Sequence, residues 1–404
     1  MKILHVIATA DPRSGGPIEG VFRLGESFRA MGHEQELLTL DLPDDEWVNS
    51  APVKVHAMGS TPPALPGILG RIARWAKRSP KAPQWLSTHA SDYDGIIVDG
   101  LWNYATRTAR LGLAKSDTPY IVFSHGMLDP LFRTRDPAKH RMKQVLWQFN
   151  EGPLCRGAEA LAFTCELERE LARTTFSPWN MREAVVGYGT SPPPALADGM
   201  CEAFAACVPG LGSRPYLLFL GRISEIKGVD ILLEAFGRIA AETDLDLVLA
   251  GPVDGSYGEL LRSIESKHCP SGRVHWAGMV RGDAKWGAVH GCEALVLPSH
   301  HENFGVVVAE AGACSRPVIL SDQVKIHGEI LQADAGLVSP VSVEGFAEAL
   351  RRFSAMSGEE RMAMGARGLE LFEERFTMDG VAERILAIFG ASGKLSGHPE
   401  KVPE

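Results

Sequence analysis

Two glutamates stand eight residues apart in the stretch HHENFGVVVAEAG, His300 to Gly312. Glu302 follows a histidine pair, and Glu310 is embedded among valines and alanines. Desolvating a carboxylate is costly unless it is paired or hydrogen-bonded, so Glu310 needs something to face. The pattern predicts a helix that begins near Phe304 or Gly305 and runs towards Cys314. Glu302 then lies just ahead of its N-terminus and Glu310 well inside it. At the helical rise the two are separated by roughly 12 Å and about 80° of rotation, so both can address one extended ligand. A carboxylate accepts two hydroxyl hydrogen bonds, and a nucleotide-activated sugar carries hydroxyls on both sides of a diphosphate. The free amides of Asn303, Phe304, Gly305 and Val306 suit a negatively charged or hydroxyl-rich group. A structural reading competes with this one: a glutamate ahead of a helix is stabilised by the dipole alone, and Glu310 can equally hold a buried arginine.

A diphosphate needs cations. The segment GRISEIKG supplies Arg222 and Lys227 between Gly221 and Gly228, a planar fork and a mobile point charge on one loop. In the competing reading both merely pair with surface acids. Gly15 and Gly16, in SGG, offer bare backbone amides at the corresponding place in the other half of the chain, although most such glycine pairs are simply turns. His125 follows the strand-like run YIVFS and can donate a hydrogen bond to a sugar or a phosphate; a histidine so placed can also be a packed loop residue. His300 and His301 are adjacent, point different ways and lack an i, i+4 partner, which argues against a zinc site.

The elements that must position these residues repeat. KILHVIA is an apolar strand, TADPRSGGP a glycine-rich loop, IEGVFRLGESFRAMG a helix with apolar positions near helical spacing, and EQELLTL a returning strand. About two hundred residues on, PYLLFLG, RISEIKG, VDILLEAFGRIAAE and LDLVLAG repeat the unit. GIIVDG, PYIVFSHG, VHWAG, EALVLPS and RPVILS are further strand candidates. Continuous apolar strands separated by helices indicate parallel sheets covered on both faces. The fold class is therefore α/β, with two doubly wound domains and ligand sites beyond the carboxyl ends of the strands. TSPPPALADG marks a linker over about residues 190–213, because consecutive prolines oppose helix formation.

Composition bounds the function. The chain has 404 residues, 45% of them hydrophobic and 23% charged, and a net charge of −9. That balance argues against general nucleic-acid binding. Residues 1–195 carry 22 Lys+Arg against 21 Asp+Glu, whereas the remainder carries 19 against 29, so the acidic excess lies in the second half. Seven scattered cysteines without a CxxC pair fit a reducing compartment. The N-terminus reads as a strand and no run reaches the length of a membrane span, so the expectation is a cytoplasmic protein.

FLGRISEIKG together with PSHHENFGVVVAEAGACSRPVILS resembles the family-four retaining glycosyltransferases of GT-B fold, whose hallmark is a Glu–x7–Glu pair. SGGPIEGVFRLGESFRAMGHEQELLTL is similar to their N-terminal glycine loop and helix, and SHGMLDP resembles a subgroup associated with bacterial exopolysaccharide, capsule or lipopolysaccharide assembly. The resemblance implies two Rossmann-like domains facing across a cleft: 1–195 on the acceptor side and 208–377 on the nucleotide-sugar side. It also implies a helix at 378–390 that packs back towards the first domain; the polar, Gly- and Pro-containing ASGKLSGHPEKVPE that follows reads as a loose tail at 391–404. It implies that Glu302 binds a hydroxyl of the donor sugar, Glu310 the ribose, and Arg222 and Lys227 the diphosphate. Gly15 and Gly16 would approach the phosphates, His125 the sugar, and backbone near Met279 and Val280 the base. No metal and no cofactor are implied. The sequence departs from the family in GGPIEG, where Pro17 removes an amide donor.

The reaction expected on this resemblance is transfer of a hexose from a UDP- or GDP-linked donor to a saccharide acceptor, which can be lipid-linked, with retention by front-face substitution. A nucleotide-sugar epimerase of the same fold, a phosphorylase and a non-catalytic nucleotide-binding module are the alternatives. Two basic stretches bear on the acceptor. Arg71, Arg74, Lys77, Arg78 and Lys81 lie within residues 66–86, where Ile68, Leu69, Ile72, Trp75 and Ala76 follow helical spacing. Arg133, Arg135, Lys139, Arg141 and Lys143 lie within 133–149, beside Trp147 and Phe149. Both have the character of a surface that docks peripherally on an anionic membrane, the inner face of the cytoplasmic membrane in this reading. Solvated basic helices are the plainer reading.

Overall fold

The computed structural model describes residues 1–61, 79–253 and 255–391, apart from the side chain of Phe132. The chain forms two units that each fold around their own sheet. One runs from Met1 to Tyr188 and takes up the chain again from Met378; the other is Gly189–Thr377.

The first unit holds seven strands: Lys2–Val6 (β1), Glu34–Thr39 (β2), Lys54–Ala57 (β3), Gly95–Asp99 (β4), Tyr120–Phe123 (β5), Ala160–Phe163 (β6) and Glu183–Val185 (β7). They pair in the order β3-β2-β1-β4-β5-β6-β7, every pair parallel. Side chains alternate across each strand, and both faces are covered. Ile3, Ile97 and Ile121 pack with Leu24 and Phe28 of helix Gly16–Ala30 and with Val381, Ile385 and Phe389 of helix Met378–Ala391. Leu4, Ile96 and Val122 pack on the opposite side against Leu86, Leu154 and Trp147. The last helix thus completes the first unit's core.

The second unit holds Tyr216–Leu220 (β8), Asp246–Ala250 (β9), Val274–Gly278 (β10), Ala294–Leu297 (β11), Val318–Ser321 (β12) and Gly336–Ser339 (β13). They are all parallel, in the order β10-β9-β8-β11-β12-β13. In each sheet the winding reverses once, between β1 and β4 and between β8 and β11. Open α/β sheets bind ligands beyond the strand carboxyl ends at such reversal points.

Several expectations are corrected. The 190–213 segment is not an extended linker: it belongs to the second unit, and Asp198–Cys207 is a helix that begins four residues beyond the prolines and buries Met200 and Phe204. Strands β3, β6, β7 and β13 had no clear apolar signature of their own. Trp147 does not stand on the basic surface; it is fully buried, donates to Pro178 O (3.0 Å) and stacks on Trp179. The amphipathic stretch at 66–80 lies mostly outside the described residues, as does the tail from 392. Among the described residues no helix is long and apolar enough to cross a membrane. All seven cysteines are free thiols.

The first sheet also buries a polar cluster. Glu36 on β2 accepts from His56 Nε2 (2.7 Å) and Tyr93 Oη (2.6 Å), with Lys2 and Lys54 Nζ at 3.1 and 3.3 Å. Burial alone would raise its carboxyl, but these four partners outweigh burial and pull it from 4.5 down to about 2. A depressed folded-state value contributes stability that is present above the unfolded value and is lost as pH falls through the folded one. Glu36→Gln is therefore expected to destabilise the chain at pH 7. The deficit relative to wild type should shrink between about pH 4.5 and pH 2, as read by denaturant unfolding across that range.

Candidate active site

In the second unit the polar residues gather at the sheet's reversal point. After β8 the chain passes Gly221 and Arg222, and Ile223 N donates to Pro252 O (2.8 Å). A tight turn, Glu225–Lys227, ends at Gly228 in the left-handed region (φ 66°). A Cβ there would come within 2.3 Å of Pro298 O, so glycine is required both by conformation and by the close approach of the next loop. Gly228 opens helix Val229–Ile239, whose apolar face carries Leu232, Leu233 and Phe236 into the core. His300 N donates to Ile226 O (2.8 Å) and fastens the loop after β11 to this turn. The outcome is that Lys227 Nζ contacts Glu302 Oε2 across the two loops. Arg222 is exposed on the same loop.

Glu302 is not on the helix axis extended backwards, as its spacing from Glu310 suggested. Its backbone bridges to Val324, with Glu302 N donating to Gln323 O (3.2 Å) and Lys325 N donating to Glu302 O (3.1 Å). The buried Lys325 then reaches Asn303 Oδ1 (2.9 Å). The loop is thus held by the segment after β12, and the helical rise does not measure the separation of the two glutamates. The helix itself is Val306–Ala313, with Gly305 (φ 76°) as its N-cap and Cys314 as its C-cap, so Phe304 and Gly305 precede its first turn.

Glu310 is 2% exposed. Its Oε1 accepts from Lys285 Nζ (2.6 Å), on helix Gly282–Gly291. Among the described residues its other oxygen, Oε2, is buried and has no hydrogen-bond partner. The cation that faces it is a partly exposed lysine and not the buried arginine that the sequence allowed. Lys285 had no sequence signal beyond its place in DAKWG. Val280 is buried and Met279 is exposed, just past the end of β10.

In the first unit, Gly15 (φ 93°) precedes helix Gly16–Ala30, and Tyr188 Oη donates to Gly16 O (3.1 Å). Pro17 occupies the first turn, where the missing N–H leaves no intrahelical bond unmade. His125 lies beyond β5 with φ 47°, a left-handed backbone that non-glycine residues adopt at some cost. It is held there from two sides. Glu168 accepts from Ser124 Oγ (2.6 Å), Gly126 N (2.7 Å), Thr164 N (2.7 Å) and Thr164 Oγ1 (2.6 Å), which fixes the turn on both sides of the histidine. The ring stacks on Phe123 at 4.4 Å and meets Tyr188 edge-on.

Asp99, the last residue of β4, links that ring to a second one. Its carboxylate accepts from His125 Nε2 (3.0 Å) and from His5 Nδ1 (2.7 Å). Burial would raise its carboxyl, but the charge interaction with His5 and the bonds from both rings hold it below the usual range. A carboxylate only accepts, so each facing nitrogen carries its proton, and Asp99 fixes both tautomers. Neither Asp99, His5 nor Glu168 was singled out in the sequence; the signal for the first is an acid at a strand's carboxyl end in IIVDG. Asp99→Asn is expected to fold and to lower turnover about 10²-fold by releasing the ring, the scale of a small misplacement of a reacting group. Steady-state kinetics with a circular-dichroism control check this; an unchanged kcat contradicts it.

The comparisons with known proteins bear on what these two units are. The Glycosyl transferases group 1 family matches residues 209–370, and the Glycosyl transferase 4-like domain matches 15–189. The chain belongs to the family-four, GT-B glycosyltransferases. Among curated relatives, D-inositol 3-phosphate glycosyltransferase of Xylanimonas cellulosilytica is 29% identical over 217 residues, 52% of this chain and 50% of that protein. The chain spans about half the length of the curated relatives it matches. Sucrose-phosphate synthase from Thermosynechococcus elongatus superposes with a TM-score of 0.73 at 19% identity, covering 96% of this chain and 98% of that one. Anabaena HepE, solved in complex with UDP-glucose, superposes with a TM-score of 0.71 at 15% identity, covering 97% and 100%. At these identities the solved structures speak for the fold.

Proposed function

We propose that this glycosyltransferase moves a hexose, with retention, from a UDP- or GDP-linked donor to a lipid-linked saccharide acceptor in bacterial polysaccharide or lipopolysaccharide assembly. The observation that carries the donor half is the Glu310 carboxylate. It is buried against Lys285 and has one oxygen without a partner among the described residues, as a receptor for ribose hydroxyls requires. That Anabaena HepE is described with UDP-glucose makes UDP the first nucleotide to test. Glu302 binds a hydroxyl of the hexose, and Arg222 and Lys227 hold the diphosphate. The amides from Asn303 to Val306 face the donor. Backbone at Met279 and Val280 lines the base, Gly15 and Gly16 serve the phosphates, and His125 hydrogen-bonds substrate through the first unit.

In the reaction, the anomeric C–O bond to the diphosphate breaks and the acceptor oxygen bonds to the same face. The acceptor's proton passes to the departing phosphate oxygen. Arg222 and Lys227 stabilise the charge that develops there, so the chain works without a metal or cofactor. Donor hydrolysis followed by proton NMR in excess chelator tests this. UDP-glucose should release α-glucose first, at an undiminished rate. Release of β-glucose contradicts retention, a free epimerised sugar nucleotide points to an epimerase, and magnesium-reversible loss contradicts metal independence.

The acceptor side is supported by helices Leu131–Arg135 and Pro137–Leu146. Leu131, Met142, Val145, Leu146 and, at 75% exposure, Phe149 stand out to solvent. Arg133, Arg135, Lys139 and Arg141 are exposed among them. Apolar side chains within a basic field fit an anionic lipid surface, each cation adding at most about 1 kcal/mol. Salt-sensitive sedimentation with anionic vesicles is the expected behaviour; its absence contradicts the docking.

A further inference from the structure

Next to that apolar rim is a cavity of about 360 Å³ lined by Arg135, Asp136, Lys139, His140 and Lys143. Its charges are unbalanced. Among the described residues that line it Asp136 is the one acid, and its Oδ1 accepts from Lys139 N (3.0 Å) as the N-cap of helix Pro137–Leu146; the buried Glu151 acts on Lys143 from outside the lining. Among the described residues, neither Arg135 nor Lys139 has an ion-pair partner. Lys143 is half-buried, and its Nζ stands 4.7 Å from the centre of the Trp102 ring. Burial lowers the Lys143 ammonium, and Lys139 lowers it further. Burial also lowers His140, followed by Arg133 and Lys143. Cations that crowd one another inside a concavity gain from a shared anion in a way that cations spread over a flat face do not. Trp102 ties the cavity to the carboxyl ends of β4 and β5: it lies three residues beyond Asp99, and its indole donates to Met127 O (3.1 Å), two residues beyond His125.

We propose that this cavity is a phosphate-binding subsite that holds the phosphate or diphosphate carried by the acceptor. The proposal rests on reading the chain as a glycosyltransferase and goes further, by requiring a phosphorylated acceptor. A phosphate group presents several oxygens to several donors at once, which matches a guanidinium and two ammonium groups in one lining. The source of the phosphate can be a lipid headgroup or a soluble sugar phosphate; the apolar rim favours the lipid.

The test is titration of inorganic pyrophosphate into wild type, Lys139→Ala/Lys143→Ala, Arg222→Ala/Lys227→Ala and a control, Arg107→Ala/Lys115→Ala. The control removes two exposed cations elsewhere in the same unit. Wild type should show two classes of site. The Lys139/Lys143 variant should lose one of them, with affinity down about tenfold or more, the scale of charge-assisted bonds. The Arg222/Lys227 variant should lose the other. If the Lys139/Lys143 variant matches wild type, or the control loses as much, the cavity proposal is overturned while the donor site stands. If Arg222/Lys227 alone has no effect, the donor reading fails and the cavity proposal is tested by the first variant. Arg135→Ala repeats the loss without touching the helix interior. Phosphatidic acid vesicles and soluble glycerol 3-phosphate, run on the same variants, assign the source: tighter binding of the vesicles supports a lipid phosphate, and equal or tighter binding of the soluble ester supports a soluble one. Loss of neither probe in Lys139→Ala/Lys143→Ala contradicts the site.

Discussion

Replacing Arg222 and Lys227 together by alanine is expected to lower turnover by about 10²-fold or more while leaving the fold nearly intact. The turn that carries them is set by backbone: Ile223 N to Pro252 O, Lys227 N to Ser224 O (2.9 Å), His300 N to Ile226 O and the left-handed Gly228. None of these depends on the two side chains. Arg222 is exposed, so truncating it opens no cavity in the core. Lys227→Ala does leave Glu302 without its ammonium, so a modest additional loss of stability is expected from that member of the pair. In turnover, both changes remove charge from the place where the departing diphosphate becomes more negative, and such a loss falls on the transition state. Initial rates and thermal unfolding of the single and double variants separate the two effects. Transfer by the double variant at near wild-type rate contradicts the diphosphate role.

The two glutamates should divide the donor between them. Glu310→Gln keeps the shape but removes the buried charge opposite the partly exposed Lys285, leaving an ammonium beside a neutral amide. Hydrogen bonds to charged groups contribute about 1.5–3 kcal/mol, so both the bare nucleoside diphosphate and the sugar nucleotide should bind about 10–100-fold more weakly. Glu302→Gln sits at the other end of the loop, against Lys227. It should weaken the sugar nucleotide by a similar factor and leave the bare nucleotide almost unchanged. Calorimetric titration of both variants with both ligands reads the pattern. Equal losses for the two ligands at both positions contradict the division.

Much of this arrangement was legible because it follows from strand patterning. The runs at 216–220, 246–250, 294–297 and 318–321 are apolar without alternation, as strands buried on both faces must be, and all four are central or near-central strands. Once they are parallel, the loops after 220 and 297 must come out on the same side at the reversal point. That brings Lys227 to Glu302 across 75 residues. What was not legible depends on weak local signals. Ala160–Phe163 is ALAF, a composition that favours helix, and becomes a strand by pairing between β5 and β7. Asp198–Cys207 follows three prolines, but their effect ends before the helix begins. Lys285, Lys325, His5 and Asp99 act through partners 22 to 94 residues away, and no pattern along the chain encodes such pairings. Glu302 was placed by helical spacing, whereas its position is set by hydrogen bonds to 323–325.

In the proposed function the 189–377 unit binds a nucleoside diphosphate through Glu310. The most direct test of that binding is thermal unfolding of the full chain, wild type and Glu310→Gln, with UDP and with GDP in the presence of chelator. A ligand that binds the folded chain at a hundred times its Kd adds about 2.7 kcal/mol of stability, a readily measured rise in Tm. Such a rise is expected in wild type with at least one of the two nucleotides, and should nearly disappear in Glu310→Gln at the same concentration. No rise in wild type with either nucleotide, or an equal rise in the variant, contradicts it.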